Sequence, residues 1–154
     1  MRHSSPVSWL VAAAAACAVA GCAAPSHFTK PQSPDRFTAC APAPHCVSSQ
    51  AAPGSFHYVE PFRFTGSAAV AHRALSQMLR NVQHATVEKD DGNFVHATFQ
   101  TTIGFVDDVT FVIKSEEHFI DVKSSSRIGF SDLGVNHRRV EGLRKQFEAL
   151  LQNE

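Results

Sequence analysis

After Ser67 the apolar residues Val70, Ala71, Ala74, Leu75, Met78, Leu79 and Val82 fall on one side of a 3.6-residue period, with His72, Arg73, Gln77 and Arg80 on the other. This spacing predicts an amphipathic helix with Ser67 as its N-cap. The period then changes to two. Ala85 to Lys89 and Phe94 to Thr101 have strand character and flank Asp91-Gly92, a dipeptide that favours a tight hairpin. Two further runs, Val106 to Lys114 and Phe119 to Arg127, flank the four-residue turn Ser115 to His118. If that turn sets the register, Ile113 faces Ile120, Phe111 faces Val122, Val109 faces Ser124 and Asp107 faces Ser126 on a core side. The opposite side sets Lys114, Val112, Thr110 and Asp108 against Phe119, Asp121, Lys123 and Ser125, a mixed face expected to meet solvent. From Asn136 to Gln152, Val140, Leu143, Phe147, Leu150 and Leu151 return to helical spacing. The expected fold class is α+β: an antiparallel sheet of about four strands with two helices packed on one face. A cysteine-closed loop and an extended segment precede it, because Pro53-Gly54 and Pro61 break Ser48 to Thr65 into short pieces.

The N-terminus has a different pattern. Arg2 and His3 precede an apolar run from Val7 to Ala20, and Val19-Ala20-Gly21-Cys22 closes it with small residues and a cysteine, in the order of a signal peptide. A spanning helix needs roughly 20 apolar residues, and this run is shorter. Its end resembles a bacterial lipobox, which implies cleavage before Cys22 and lipidation of its thiol. Two or three acyl chains, at roughly 0.8 kcal/mol per buried methylene, hold a small protein on a bilayer without any membrane-binding surface in its domain. The alternative is an ordinary secretory signal cut nearby, after Ala24. The expected organisation is a lipoprotein signal peptide over 1–21, a flexible tether rich in Pro, Ser and Ala over 22–36, and one domain over 37–154. The expected location is a bacterial membrane facing the periplasm, with the outer membrane favoured because Ala23 rather than Asp follows the cysteine.

Cys17 leaves with the signal and Cys22 carries lipid, so Cys40 and Cys46 remain. In an oxidising compartment two thiols so close in sequence favour a disulfide, which closes a short loop and adds roughly 2 kcal/mol. The competing reading is metal ligation by Cys40, His45 and Cys46, but a closed zinc site wants four ligands and the spacing supplies no fourth. No metal and no cofactor is expected. With 14 basic and 14 acidic residues the chain has no field to steer nucleic acid. Twelve Phe and 44% apolar residues suffice for one core of about 110 residues.

Asp107, Asp108, Arg127, Ser131, Asp132, Asn136, Arg138 and Arg139 form the candidate polar cluster. Asp107 and Asp108 are adjacent on a strand and point to opposite faces, so they do not form a glycosidase pair. Asp107 at the core side needs a partner, for which Ser126, Arg138 and Arg139 are available. Asp108 lies near Lys123 and Arg127. The stretch Arg127 to Arg139 leads into a helix N-terminus whose free amides favour an anion. The structural alternative has Ser131 or Asp132 capping the turn, Asn136 capping the helix and the arginines tying helix to sheet. No Ser-His-Asp order, nucleophile elbow, phosphate loop or paired-histidine metal motif is present.

Pro44-His45-Cys46-Val47-Ser48-Ser49-Gln50, Gly104-Phe105-Val106-Asp107-Asp108-Val109 and the long run from Asp121 through Ser131-Asp132-Leu133-Gly134-Val135-Asn136 resemble the bacterial family catalogued as domain of unknown function 1499. The resemblance spans about Cys40 to Leu151, with His45 where Asn is expected and His137 where a basic residue is expected. It implies a family but no activity. The expected function is a membrane-anchored envelope lipoprotein acting as a binding or accessory module. Its expected partners are the membrane through its lipid, and an envelope protein or a small anionic ligand. The alternative is a hydrolase or other enzyme using Asp107 or Asp132 with the nearby arginines.

Overall fold

The structure, a computed structural model, describes residues 36–153. The expected signal peptide, Cys22 and the tether up to residue 35 lie outside the described residues. Among those described, the elements run β1 (Cys46–Ser48), β2 (Phe62–Arg63), α1 (Ala68–Asn81), β3 (Ala85–Asp90), β4 (Phe94–Gln100), β5 (Val106–Lys114), β6 (Phe119–Ser126) and α2 (Val135–Leu151). The sheet is antiparallel with order β1-β6-β5-β4-β3, and β2 also pairs with β6. The four long strands are those the period-two pattern predicts. The two short ones come from the expected loop and extended segment, and they attach to different stretches of β6, at Lys123 to Ser125 and at Phe119 to Ile120.

Local chemistry accounts for the boundaries. Ser67 accepts a hydrogen bond from the Val70 amide at 3.3 Å and starts α1. Gly92 takes φ +80° in the β3–β4 turn, where a side chain would be strained. Between β5 and β6 the observed partners are Asp107↔Ser126, Val109↔Ser124, Phe111↔Val122 and Ile113↔Ile120, as the turn length predicts.

One sheet face carries the core. Val95, Ala97, Val109, Phe111, Ile120 and Val122 are fully buried there beneath Ala71, Ala74, Leu75, Met78 and Leu79 of α1 and Val140, Leu143 and Phe147 of α2. Phe62 from β2 enters the same layer, its ring 5.8 Å from Phe111 and 5.6 Å from Phe147; such aromatic pairs contribute about 0.5–1.5 kcal/mol beyond their buried area. His72 of α1 bonds Asp90 of β3 at 2.7 Å, and Ser76 donates to the other carboxylate oxygen, so the helix is tied to the sheet edge by polar contacts too.

The opposite face differs from the solvent-facing surface that strand alternation predicts. Val112 is wholly buried and Asp121 is 6% exposed. The chain before β2 folds back over this side: Lys123 Nζ donates to the Thr38 carbonyl at 2.8 Å, and Asp121 accepts from Ser49 Oγ at 2.6 Å and Gln50 Nε2 at 2.7 Å. Cys40 and Cys46 form a disulfide, Cα atoms 5.6 Å apart; Cys46 and Phe37 are buried and Cys40 is half-buried. Strand periodicity describes only what a strand offers. It does not reveal which distant segment will cover it.

Candidate functional site

The eight candidate residues divide into two networks, one on each sheet face. The division follows from β5, where successive side chains point to opposite sides.

On the inner face Asp107, 1% exposed, meets Arg139 Nη2 at 2.5 Å. Arg139 reaches it from the second turn of α2, with its guanidinium carbon 5.1 Å from the Phe99 ring centroid. Its other amino group donates to Asn136 Oδ1 at 2.7 Å and Ser124 Oγ at 3.3 Å, and Ser124 Oγ donates to the same Asn136 oxygen. Asn136, wholly buried, donates from Nδ2 to the His45 carbonyl, Ser126 Oγ and Asp132 Oδ2. The buried charge pair thus sits in a network in which Asn136 and Ser124 take the second amino group of Arg139, and added hydrogen bonds of this kind help such a pair persist in a core.

Asp132 does the capping. Its carboxylate accepts from the amides of Gly134 and Asn136, both at 2.8 Å, while its carbonyl accepts from the Val135 amide. Asn136 therefore lies inside the first turn of α2 as a buried link between strand and helix. The helix N-terminus expected to attract an external anion already holds a carboxylate of its own chain. Burial alone would raise the Asp132 carboxyl; the Asn136 and Gly134 amides outweigh it and hold it below the ordinary carboxylate value. Ser131 Oγ accepts from the Leu133 amide. Arg138, the sequence neighbour of Arg139, points outward and donates to the Leu133 carbonyl at 2.9 Å. Gly134 has φ +77°, and a Cβ there would sit 3.1 Å from Arg138 Nη1.

On the outer face Asp108 accepts a forked pair of bonds from Arg127, Nε to Oδ2 at 2.9 Å and Nη2 to Oδ1 at 2.8 Å, and lies 2.9 Å from His96 Nε2. Burial pushes the carboxyl up, but the Arg127 and His96 hydrogen bonds and the Arg127 charge prevail and bring it down to about 2. Asp108 in turn raises the Arg127 guanidinium. Lys123, expected near Asp108, is instead bonded to Thr38, and burial lowers its ammonium.

Strand and helix periodicity did not single out His96, Ser124 or Asp121. His96 was legible in principle: Thr98 pairs with Asp108 and His96 with Thr110, which puts His96 diagonal to Asp108 on one face. Asp121 was not, since its partners Ser49 and Gln50 lie more than 70 positions away.

Two cavities adjoin these groups. One of about 130 Å³ is lined by Ser131, Asp132, Gly134, His137, Cys46 and Phe56, too small for most metabolites. A larger open cleft of about 840 Å³ lies at the other end of the sheet, between residues 36–40 and the β5–β6 turn, with Gln50, His57, Lys114, Glu117 and Asp121 among its walls. Neither cavity joins the two networks. Among the described residues no three His, Cys, Asp or Glu converge as metal ligands, and the disulfide occupies both thiols of the alternative metal reading.

For catalysis a general acid or base needs a proton affinity near the working pH. Asp108 and Asp132 are both held low. Ser124 donates to an amide oxygen, an arrangement that does not activate a nucleophile.

A protein-family model matches residues 36–147, with the description "Protein of unknown function (DUF1499)". No curated protein and no solved structure matches the chain.

Proposed function

The chain belongs to this family of proteins of unknown function, DUF1499, and on that premise we propose that it is a lipid-anchored accessory module of the bacterial cell envelope. On this reading Cys22 carries the lipid, the domain faces the periplasm, and it acts by contact rather than by catalysis. One observation carries the non-catalytic part: all eight residues of the candidate cluster are engaged within the chain. Asp107 is paired with Arg139, Asp108 with Arg127, Asp132 with the α2 amides, and Arg138 with a loop carbonyl. Such groups hold a fold together and offer an incoming substrate little that is free. The anchor rests on Val19-Ala20-Gly21-Cys22 and the apolar run before it.

The test is mass spectrometry of the full chain recovered in detergent from a bacterial envelope, under native and then denaturing conditions, beside a Cys22→Ser variant. The expected species begins at Cys22, bears acyl chains and has an oxidised cysteine pair. An unacylated chain cut elsewhere would sink the anchor. A stoichiometric small molecule retained in native spray would replace the accessory reading with ligand binding, and the large cleft would be its first candidate seat.

A further inference from the structure

At the end of the sheet away from the β5–β6 turn, two loops expose bulky apolar residues. Residues 101–105 join β4 to β5, and residues 127–134 join β6 to α2. Ile103 is 77% exposed, Ile128 58%, Phe130 79% and Leu133 84%, with Phe105 at 48%. The loops start side by side, because the Arg127 amide donates to the Val106 carbonyl at 3.2 Å and Gln100 pairs with Val106. Five large apolar side chains at one end of a small domain differ from the singly scattered ones any surface carries. Leu133 also takes a left-handed backbone, φ +52°, a region that residues with a Cβ avoid. An unfavourable backbone here displays a hydrophobe to water.

We propose that these two loops insert into the surface of an anionic phospholipid bilayer and orient the domain against it. Three features favour a bilayer over a protein groove. The apolar residues stand on separate projecting turns, which suits entry among acyl chains. Asp132 is the sole carboxylate in either loop, and it is turned inward onto the α2 amides. The outward charge beside the tips is Arg138, whose guanidinium sits on the Leu133 carbonyl, where it meets anionic headgroups.

Reach is consistent as well. This part of the argument rests on the anchoring proposed above. Arg36, where the described chain begins, lines the cleft beside Lys114 and Glu117 at the opposite end. The fourteen peptide links from Cys22 to Arg36 span at most about 46–50 Å, and the nine-residue strand β5 is about 30 Å long. A lipid on Cys22 and the apolar loops can therefore contact one bilayer. The anchor retains the protein; the loops set its face.

The experiment separates the two ideas by using the chain from residue 22 with Cys22→Ser, which has no lipid and retains every buried core residue. Trp9 is the only tryptophan and precedes this chain, so a Phe130→Trp reporter is read alone. On vesicles of phosphatidylglycerol and phosphatidylethanolamine its emission should shift to the blue and be quenched by brominated acyl chains, while a Glu117→Trp reporter at the other end stays unchanged. The combined Ile103→Ser, Phe130→Ser and Leu133→Ser variant should keep its circular dichroism and lose vesicle binding at least tenfold. Absence of a blue shift, or equal binding by the triple variant, overturns the proposal. So does a concentration-dependent dimer that the triple variant abolishes, since the loops would then meet a second copy. Failure of acylation at Cys22 is read separately in the mass spectrum of the full chain.

Discussion

Asp107 and Asp108 are consecutive residues of one strand, each bonded to an arginine, yet they occupy different surroundings. Asp107 is sealed between sheet and α2, its side chain 2% exposed. Asp108 and Arg127, at 14% and 18% side-chain exposure, stay in partial contact with solvent. Arg138 and Arg139 repeat the contrast on α2: one holds a surface carbonyl, the other a buried carboxylate. The lesson is that residue type says little about what a charge contributes. Alternation on a strand and the 100° step of a helix decide the dielectric around each group, and hence the energy of losing its partner.

The sharpest test is Arg139→Ala. It leaves Asp107 buried without a counter-charge and should cost about 3–5 kcal/mol, much of a small domain's stability, read as a lower denaturant midpoint at unchanged slope. Replacing Asp107 and Arg139 together by leucine should recover much of that loss, because the penalty belongs to the orphaned charge. A double variant as unstable as the single one would show that Asn136 and Ser124 depend on the guanidinium as well.

Next is the staple of the outer layer. Cys40→Ser with Cys46→Ser should lower stability by about 2 kcal/mol, measured by thermal unfolding against the oxidised parent.

Arg127→Ala should cost roughly 1–2 kcal/mol, less than Arg139→Ala because water partly solvates Asp108; equal costs would break the comparison. It also has a pH signature. The native Asp108 carboxyl lies at about 2, below the unfolded value of about 3.9. Its stabilisation is therefore fully present above pH 4 and disappears as pH falls towards 2. Denaturation curves between pH 5 and 2 should show this component in the parent and a smaller one in Arg127→Ala, where His96 still bonds Asp108. Smallest of all is Arg138→Ala, within about 0.5 kcal/mol for a surface residue. A larger loss would mean that the Leu133 turn depends on that guanidinium.

Much of the fold was legible because it rests on local periodicity. The Ser67 cap, the Asp91-Gly92 turn and the Ser115 to His118 turn set α1 and both hairpins, and the pairing of Ile113 with Ile120 and of Asp107 with Ser126 follows from loop length alone. Of the polar cluster, only the opposite facing of Asp107 and Asp108 could be read that way. Three arginines lay within reach on paper. Which one meets which carboxylate depends on how α2 is rotated over the sheet, and that rotation is set by Val140, Leu143 and Phe147 seeking the core.

The sequence by itself determined the long strands, both helices, the register of the β5–β6 pair and the nearness of the two domain cysteines, since each depends on neighbours a few positions apart. Only the tertiary structure decided that residues 36–50 cover the outer face, that Arg139 rather than Arg138 meets Asp107, and that the β4–β5 and β6–α2 loops share one apolar end. Those are meetings between segments up to 85 positions apart, chosen by whole-chain packing and by the need to satisfy buried polar groups, which no local period encodes.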